Sequence, residues 1–191
     1  MAENLERPQV PTRRRLDVEA FYRMAEAGIL KPEDRVELID GEIFDMVPIG
    51  SRRGGTTDRL IRLFVRAADG LAHVSVPRPL RLDGLNEPQP DVMLLKPHAD
   101  DYRGRHPSAA DVLLLIEVSD ASLSHDRKIK LPLYAKHGVP EVWIVDLGGR
   151  AIEVNREPAG DAYAQTQRLT SGSLTPLLVP GATVDVAALL A

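Results

Sequence analysis

The stretch Asp111–Leu147, DVLLLIEVSDASLSHDRKIKLPLYAKHGVPEVWIVDL, decides how this chain is read. Val112–Ile116 is aliphatic without polar alternation. Such a run marks a strand covered on both faces, hence a central one. Glu117 stands at the end of that run. Asp126–His137 reads as a helix, with Gly138 at the residue just past its end and Pro140 two residues on. Pro132 would break one backbone bond of a helix that starts at Asp126, but would fit the first turn of one that starts near Lys128. Glu141–Leu147 and Arg150–Arg156 flank Gly148-Gly149 and read as a hairpin.

Working outward, Asp17 reads as the N-cap of a helix that runs to about Ala27, with Phe21 and Met24 on its inner stripe and Gly28 as the stop. Arg35–Phe44 reads as two strands about Asp40-Gly41, a strong hairpin signal. A second helix is expected over about Thr56–Ala68, with Leu60, Ile61, Phe64 and Val65 at helical spacing. His73–Leu82 is a β segment broken by Pro77 and Pro79, which suits a sheet edge. Pro90–Leu95 is a short apolar strand that opens on Asp91, and Pro97–Ser108 is a long polar loop. The last thirty residues suggest one or two short strands around Ser171–Ser173. The order is α, ββ, α, then mixed strands with one late helix. It predicts an α+β or mixed α/β domain over residues 16–191, behind a flexible polar arm of residues 1–15.

Composition narrows the function. The chain has 191 residues and a net charge of -4, which excludes a strongly basic DNA-coating protein. It has no cysteine, so disulfide scaffolds, thiolate metal sites and cysteine nucleophiles are excluded, and a reducing cytoplasm is the expected location. No apolar run reaches the ~20 residues of a membrane helix, and the opening MAENLERPQVPTRRRLD has no apolar core of a secretory signal. Charge is unevenly spread. Arg52, Arg53, Arg59, Arg62, Arg66, Arg78 and Arg81 face only Asp58 and Asp69, an arginine-rich segment that can attract phosphates or simply form solvated faces.

Phosphate-loop, dinucleotide, nucleophile-elbow and zinc-protease motifs are all absent. His73, His98, His106, His125 and His137 show no metal-ligand spacing. Acid placement is what stands out. Asp91 opens one apolar strand and Glu117 closes the most apolar one; a buried carboxylate is costly unless it is paired or bound to metal. Two such acids suit Mg²⁺ or Mn²⁺, which takes one or two carboxylates, waters and phosphate oxygens. Asp126, Lys130 and Tyr134 fall at i, i+4 and i+8 on one helix face, and Lys130 is the candidate cation. The plain alternative is an intrahelical Asp126–Lys130 pair with Asp91 as a turn residue. Glu37 and Glu42 alternate with Val36, Leu38 and Ile43, as outward positions of a half-exposed strand would.

The segments RVELIDGEIFDMVPIGSRRG, EPQPDVMLLKP and DVLLLIEVSDASLSHDRKIKLPLYAKHGVPEVWIVDL resemble the Uma2 family of restriction-endonuclease-like proteins, of the PD-(D/E)XK nuclease superfamily. The resemblance implies a mixed β-sheet flanked by helices and a Mg²⁺- or Mn²⁺-dependent phosphodiesterase acting on nucleic acid, DNA first. It makes Asp91 and Glu117 metal ligands, and Lys130 the cation that stabilises the transition state or activates water. Asp126 would orient Lys130, and Glu37 or its neighbour Glu42 would assist the metal shell. Ser119 stands where the superfamily pattern has a lysine, and Arg53 where many relatives have histidine. Arg52, Arg53, Arg59 and the arm at Arg13–Arg15 are the expected nucleic-acid contacts. A homodimer is compatible with cutting two strands. A nuclease fold that binds without turnover is the alternative that Ser119 and Arg53 motivate.

Overall fold

The computed structural model describes residues 12–68 and 70–191. The expectation of a flexible arm falls mostly on residues 1–11, outside the described residues. The end of that arm is held: Arg13 pairs with Glu42 at 3.2 Å, Arg15 with Asp40 at 2.5 Å, and the Leu16 N–H donates to the Gly41 carbonyl. Helix α1 (Val18–Glu26) begins where the side chain of Asp17 accepts the Ala20 N–H. It ends before Gly28, whose φ of +71° lies in the left-handed region that glycine adopts freely. Val18 is its buried anchor; Phe21 and Met24 are half-buried.

Strands β1 (Val36–Ile39) and β2 (Glu42–Asp45) form an antiparallel hairpin. Asp40 and Gly41 both have positive φ, as its two-residue turn requires. A side chain at Gly41 would also strike Arg15, so the turn packs directly under the incoming chain. The hairpin departs from the alternating pattern. All of β1 is buried, and Glu37 turns inward while Glu42 stays exposed. Alternation failed because β1 is covered on both sides: Leu38 bridges to Glu87, and Glu37 faces the helix that carries Lys130.

A six-stranded sheet runs in the order β3 (His73–Ser75), β4 (Val92–Leu95), β5 (Val112–Ser119), β6 (Glu141–Asp146), β7 (Ala151–Ala159), β8 (Ala162–Leu169). Only β5 and β6 are parallel, so the sheet is mixed. The Pro-containing segment is an edge, as expected, but only three of its residues are strand. The long strand β8 is an addition to the sequence reading, as is the terminal helix α5 (Val186–Leu190) beside the short pair β9 (Ser173–Leu174) and β10 (Val184–Asp185). Among the described residues no helix is long and apolar enough to cross a membrane.

Residue parity divides the core. Leu114, Ile116 and Val118 of β5 join Val92, Leu94, Trp143 and Val145 beneath helix α2 (Ser51–Ala67). Leu115 faces the other way with Met93, Leu95, Val142, Ile144 and Tyr134. Helix α2 begins about five residues earlier than its apolar spacing suggests, which places Arg53 in its buried stripe with Leu60 and Phe64; Val65 is exposed. Between β5 and β6 the chain is helical from Leu123 to Lys136: α3 (Leu123–His125), a π turn (Asp126–Lys130) and α4 (Leu131–Lys136). The wide turn closes with the Leu131 N–H on the Asp126 carbonyl, just before Pro132, which has no N–H to give. Neither start considered for this helix was right, and the wide turn is what lets Pro132 sit inside it.

Candidate active site

Parity also positions the site. Glu117 is two residues beyond Leu115 and so points to the α4 side, and Ser119 follows it. Asp91 sits one step before β4. Glu37 comes from β1, Arg53 from the first turn of α2, and Asp126 and Lys130 from the π turn. All seven residues are buried, at most 7% exposed. Residues spread over 94 positions of sequence, 37 to 130, thus meet in one centre.

Lys130 Nζ lies 3.0 Å from Glu117 Oε1 and 3.0 Å from Glu37 Oε2. The Tyr134 hydroxyl donates to the same Glu117 oxygen at 2.6 Å. Glu37 Oε2 also accepts the Gln89 N–H, and Glu37 Oε1 lies 3.3 Å from His125 Nε2. Asp91 takes the fork of Arg53, with Nη2 at 2.9 Å from Oδ1 and 3.0 Å from Oδ2, and also accepts the Val118 N–H. Asp126 is held by the hydroxyls of Ser119 (2.6 Å) and Ser122 (2.7 Å). It makes no ion pair with Lys130. The carboxylate that contacts Lys130 beside Glu117 is thus Glu37, not Asp126, from which the orienting contact was expected.

The charges are out of balance. Four carboxyl groups (Glu37, Asp91, Glu117, Asp126) face two permanent cations, Arg53 and Lys130, with His125 beside Glu37. Burial raises the Glu117 carboxyl well above its usual range; Lys130 opposes this, and the charges of Asp126 and Asp91 add to it. For Glu37 burial also pushes upward, but Lys130, His125 and the Gln89 N–H prevail and hold it at about 2. Burial alone would lower the Lys130 ammonium; Glu117, Glu37 and Asp126 raise it instead. It therefore stays charged.

A cavity of about 170 Å³ opens onto this centre, with Glu37, Arg53, Asp126, Lys130 and His125 on its wall. Asp91 and Glu117 are not on that wall; the two cations that pair with them are. Among the described residues no three His, Asp or Glu side chains form a ready metal cage. The donor set still fits a hard divalent ion in kind. It offers oxygen ligands, more carboxyl groups than cations, and a Glu117 oxygen, Oε2, to which no protein group among the described residues donates. Arg53 would have to yield one side of Asp91 to such an ion.

Sequence reasoning missed His125, Ser119 and Ser122 as parts of this centre. His125 packs on Phe44 at 5.2 Å and borders the cavity. No spacing signal marks it, since its partners come from the distant hairpin. Of the expected nucleic-acid contacts, Arg53 is turned inward onto Asp91, while Arg52 and Arg59 lie outside the centre, where they donate to the carbonyls of Leu147 and of Ala188 and Leu189. The arginine-rich segment is not one patch: Arg78 is spent on the Tyr102 carbonyl and Arg81 on Glu87.

No curated protein matches the sequence. Among solved structures, the crystal structure of "a putative nuclease belonging to DUF820" from Anabaena variabilis superimposes with a TM-score of 0.71. The match covers 92% of this chain and 97% of that one at 12% identity, which establishes a shared fold. The family model for Uma2, described as "Putative restriction endonuclease", matches residues 18–187. Family and fold suggest a nuclease of the restriction-endonuclease type, with a mixed sheet between helices. With a match over nearly its whole described length, this chain belongs to the Uma2 family.

Proposed function

We propose that the protein is a metal-dependent endonuclease that hydrolyses phosphodiester bonds in DNA. The observation that carries this is the buried centre in which Asp91, Glu117, Glu37 and Asp126 outnumber Arg53 and Lys130. A structural ion-pair cluster would balance its charges, because an unpaired buried carboxylate costs stability. A surplus of oxygen anions beside a cavity is what a divalent cation and a phosphate ester require together.

Asp91 and Glu117 would hold Mg²⁺ or Mn²⁺. When bound, such an ion polarises a phosphoryl oxygen and lowers the pKa of its water towards neutrality. Lys130 reaches the cavity wall with its charge fixed between Glu117 and Glu37, so it meets negative charge as it builds on the phosphoryl oxygens without first being oriented. Tyr134 fixes the Glu117 carboxylate from behind. Asp126, clamped by two serine hydroxyls, supports Lys130 through its field rather than by contact. Arg53 occupies Asp91, and its fork also matches a phosphate. The lack of cysteine suits a reducing cytoplasm. Cutting both strands would take two copies.

One observation favours a second reading. The Arg53 fork closes on Asp91, one of the two ligands, as it would in a nuclease fold that binds nucleic acid without turnover. Plasmid DNA incubated with Mn²⁺ or Mg²⁺ separates the two. The endonuclease reading expects nicking by the wild type and none by Glu117→Gln purified in parallel. DNA binding with no strand breakage in either metal would leave the second reading, and equal nicking by both proteins would refute the role given to Glu117.

A further inference from the structure

Next to the acid centre lies a second cleft, of about 280 Å³, and its character is opposite. It runs between the first turns of α2, the β6–β7 turn and the end of α5. Its wall includes Ser51, Arg52, Gly55, Thr56, Arg59 and Arg150. Arg52 donates to the Leu147 carbonyl at 2.8 Å, and Arg59 to the carbonyls of Ala188 and Leu189. These neutral acceptors fix the direction of the guanidinium groups without cancelling their charge. Arg52 pairs only loosely with Asp120, at 3.9 Å; among the described residues Arg59 and Arg150 have no ion-pair partner, and Leu189, Leu190 and Ala191 complete the wall. The side of α2 is bare at Gly55, where even a Cβ would meet nothing within 4 Å.

We infer that this cleft binds a backbone phosphate of the nucleic-acid strand, the neighbour of the phosphate that is cleaved. The inference rests on the endonuclease reading for the strand's position. Arg52 and Arg53 are consecutive on α2 and so point about 100° apart. Arg53 borders the cavity of the acid centre, and Arg52 borders the arginine cleft. The opposite side of the divide repeats this: Asp120 meets Arg52, while Ala121 lines the cavity. A strand crossing this ridge therefore leaves the acid centre and enters the arginine cleft in one step. Guanidinium forks with spare donors, held by carbonyls, are suited to phosphate oxygens. The first turn of α2 holds no acid and Gly50 offers it no side-chain cap, so the field there also favours an anion.

The test is binding of a fluorescein-labelled DNA duplex in EDTA, read by anisotropy across a salt series. Arg52→Ala/Arg150→Ala is compared with wild type and with Arg66→Ala, an exposed arginine further along α2. Arg59 is left intact because its bonds hold α5. The double variant is expected to weaken binding by about tenfold at low salt and to flatten the slope of log K against log salt by about 1, for one lost phosphate contact. Arg66→Ala is expected to stay within about twofold of wild type, as a charge outside the footprint. A double variant that binds with the wild-type slope overturns the inference. So does an equal loss in Arg66→Ala, which would mean diffuse charge only. Metal-dependent nicking by the wild type that is absent in Glu117→Gln, alongside normal binding by the double variant, overturns the cleft and leaves the endonuclease reading standing. A wild type that binds no DNA in EDTA overturns the cleft, while nicking in Mn²⁺ or Mg²⁺ decides the endonuclease reading separately.

Discussion

Two neighbouring strands each bury a glutamate completely, and the two are treated in opposite ways. Glu141 opens β6, is 0% exposed and is fully satisfied. Oε1 accepts the Trp143 indole N–H at 2.7 Å and the guanidinium of Arg156, its cross-strand partner, with Nη2 at 2.7 Å; Oε2 accepts the Leu177 N–H at 2.6 Å. One acid meets one base, and both oxygens are used. Glu117, near the end of β5, receives both of its donors on one oxygen and shares Lys130 with Glu37. The first arrangement ties the start of β6 to β7 and to the segment after β9. The second leaves one Glu117 oxygen without a protein donor and makes one cation serve two acids. Burial alone therefore does not distinguish a structural acid from a candidate functional one; the donors and cations around it set the two apart.

The strongest test of this contrast removes the shared cation. Lys130→Met leaves Glu37 and Glu117 without the cation they share. It is expected to cost about 3–5 kcal/mol, the cost of an uncompensated buried charge. Nicking should be lost as well. Urea unfolding at pH 7 reads the first effect. A cost below about 1 kcal/mol would put Lys130 among exposed pairs and break the description of the centre as buried. Next in size is Glu141→Gln, which keeps the shape but turns an amide against one of the donors and takes the charge from Arg156. The expected cost is about 2–3 kcal/mol, as for hydrogen bonds to charged groups. Nicking per folded molecule should not change. A loss of activity without a loss of stability would make Glu141 part of the site and dissolve the distinction.

The same contrast explains what the sequence could tell. Val112–Ile116 has no polar interruption because both faces of β5 are covered, so its central place was legible. The i, i+4, i+8 spacing of Asp126, Lys130 and Tyr134 survived the π turn, and with it the approach of Lys130 to Glu117. Glu37 was not legible from alternation. Its burial depends on a helix almost a hundred residues away, and local periodicity carries no record of that. The early start of α2 was hidden for a related reason. Gly54 and Gly55 are poor helix formers, and what recruits that turn is the Arg53–Asp91 pair, formed across 38 positions. The Asp126–Lys130 spacing was real, yet it predicted the wrong contact, because the serines beside Asp126 and the Glu37 beside Lys130 compete better for each.

The smallest predicted effect is the most discriminating, because its sign is unusual. Glu117→Gln should stabilise the fold at pH 7, because burial holds this carboxyl well above its ordinary range and the amide removes the cost of ionising it. Gln keeps an acceptor for Tyr134 and Lys130, while Lys130 keeps Glu37 as its counter-charge. The raised Glu117 carboxyl means that the folded protein holds its proton more tightly than the unfolded chain does. Below the ordinary carboxylate range the group is neutral in both states, and wild type and variant should have equal stability. As pH rises from that range towards the folded value, only the unfolded chain releases the proton, and wild-type stability falls. The gap in favour of Glu117→Gln should therefore open across this window and level off above it. For Glu141→Gln the difference should carry the opposite sign at pH 7. Unfolding in urea at pH 4, 5, 6, 7 and 8 reads both series. If Glu117→Gln and wild type run parallel throughout, the centre bears no excess charge, and the chief argument for a cation there falls with it.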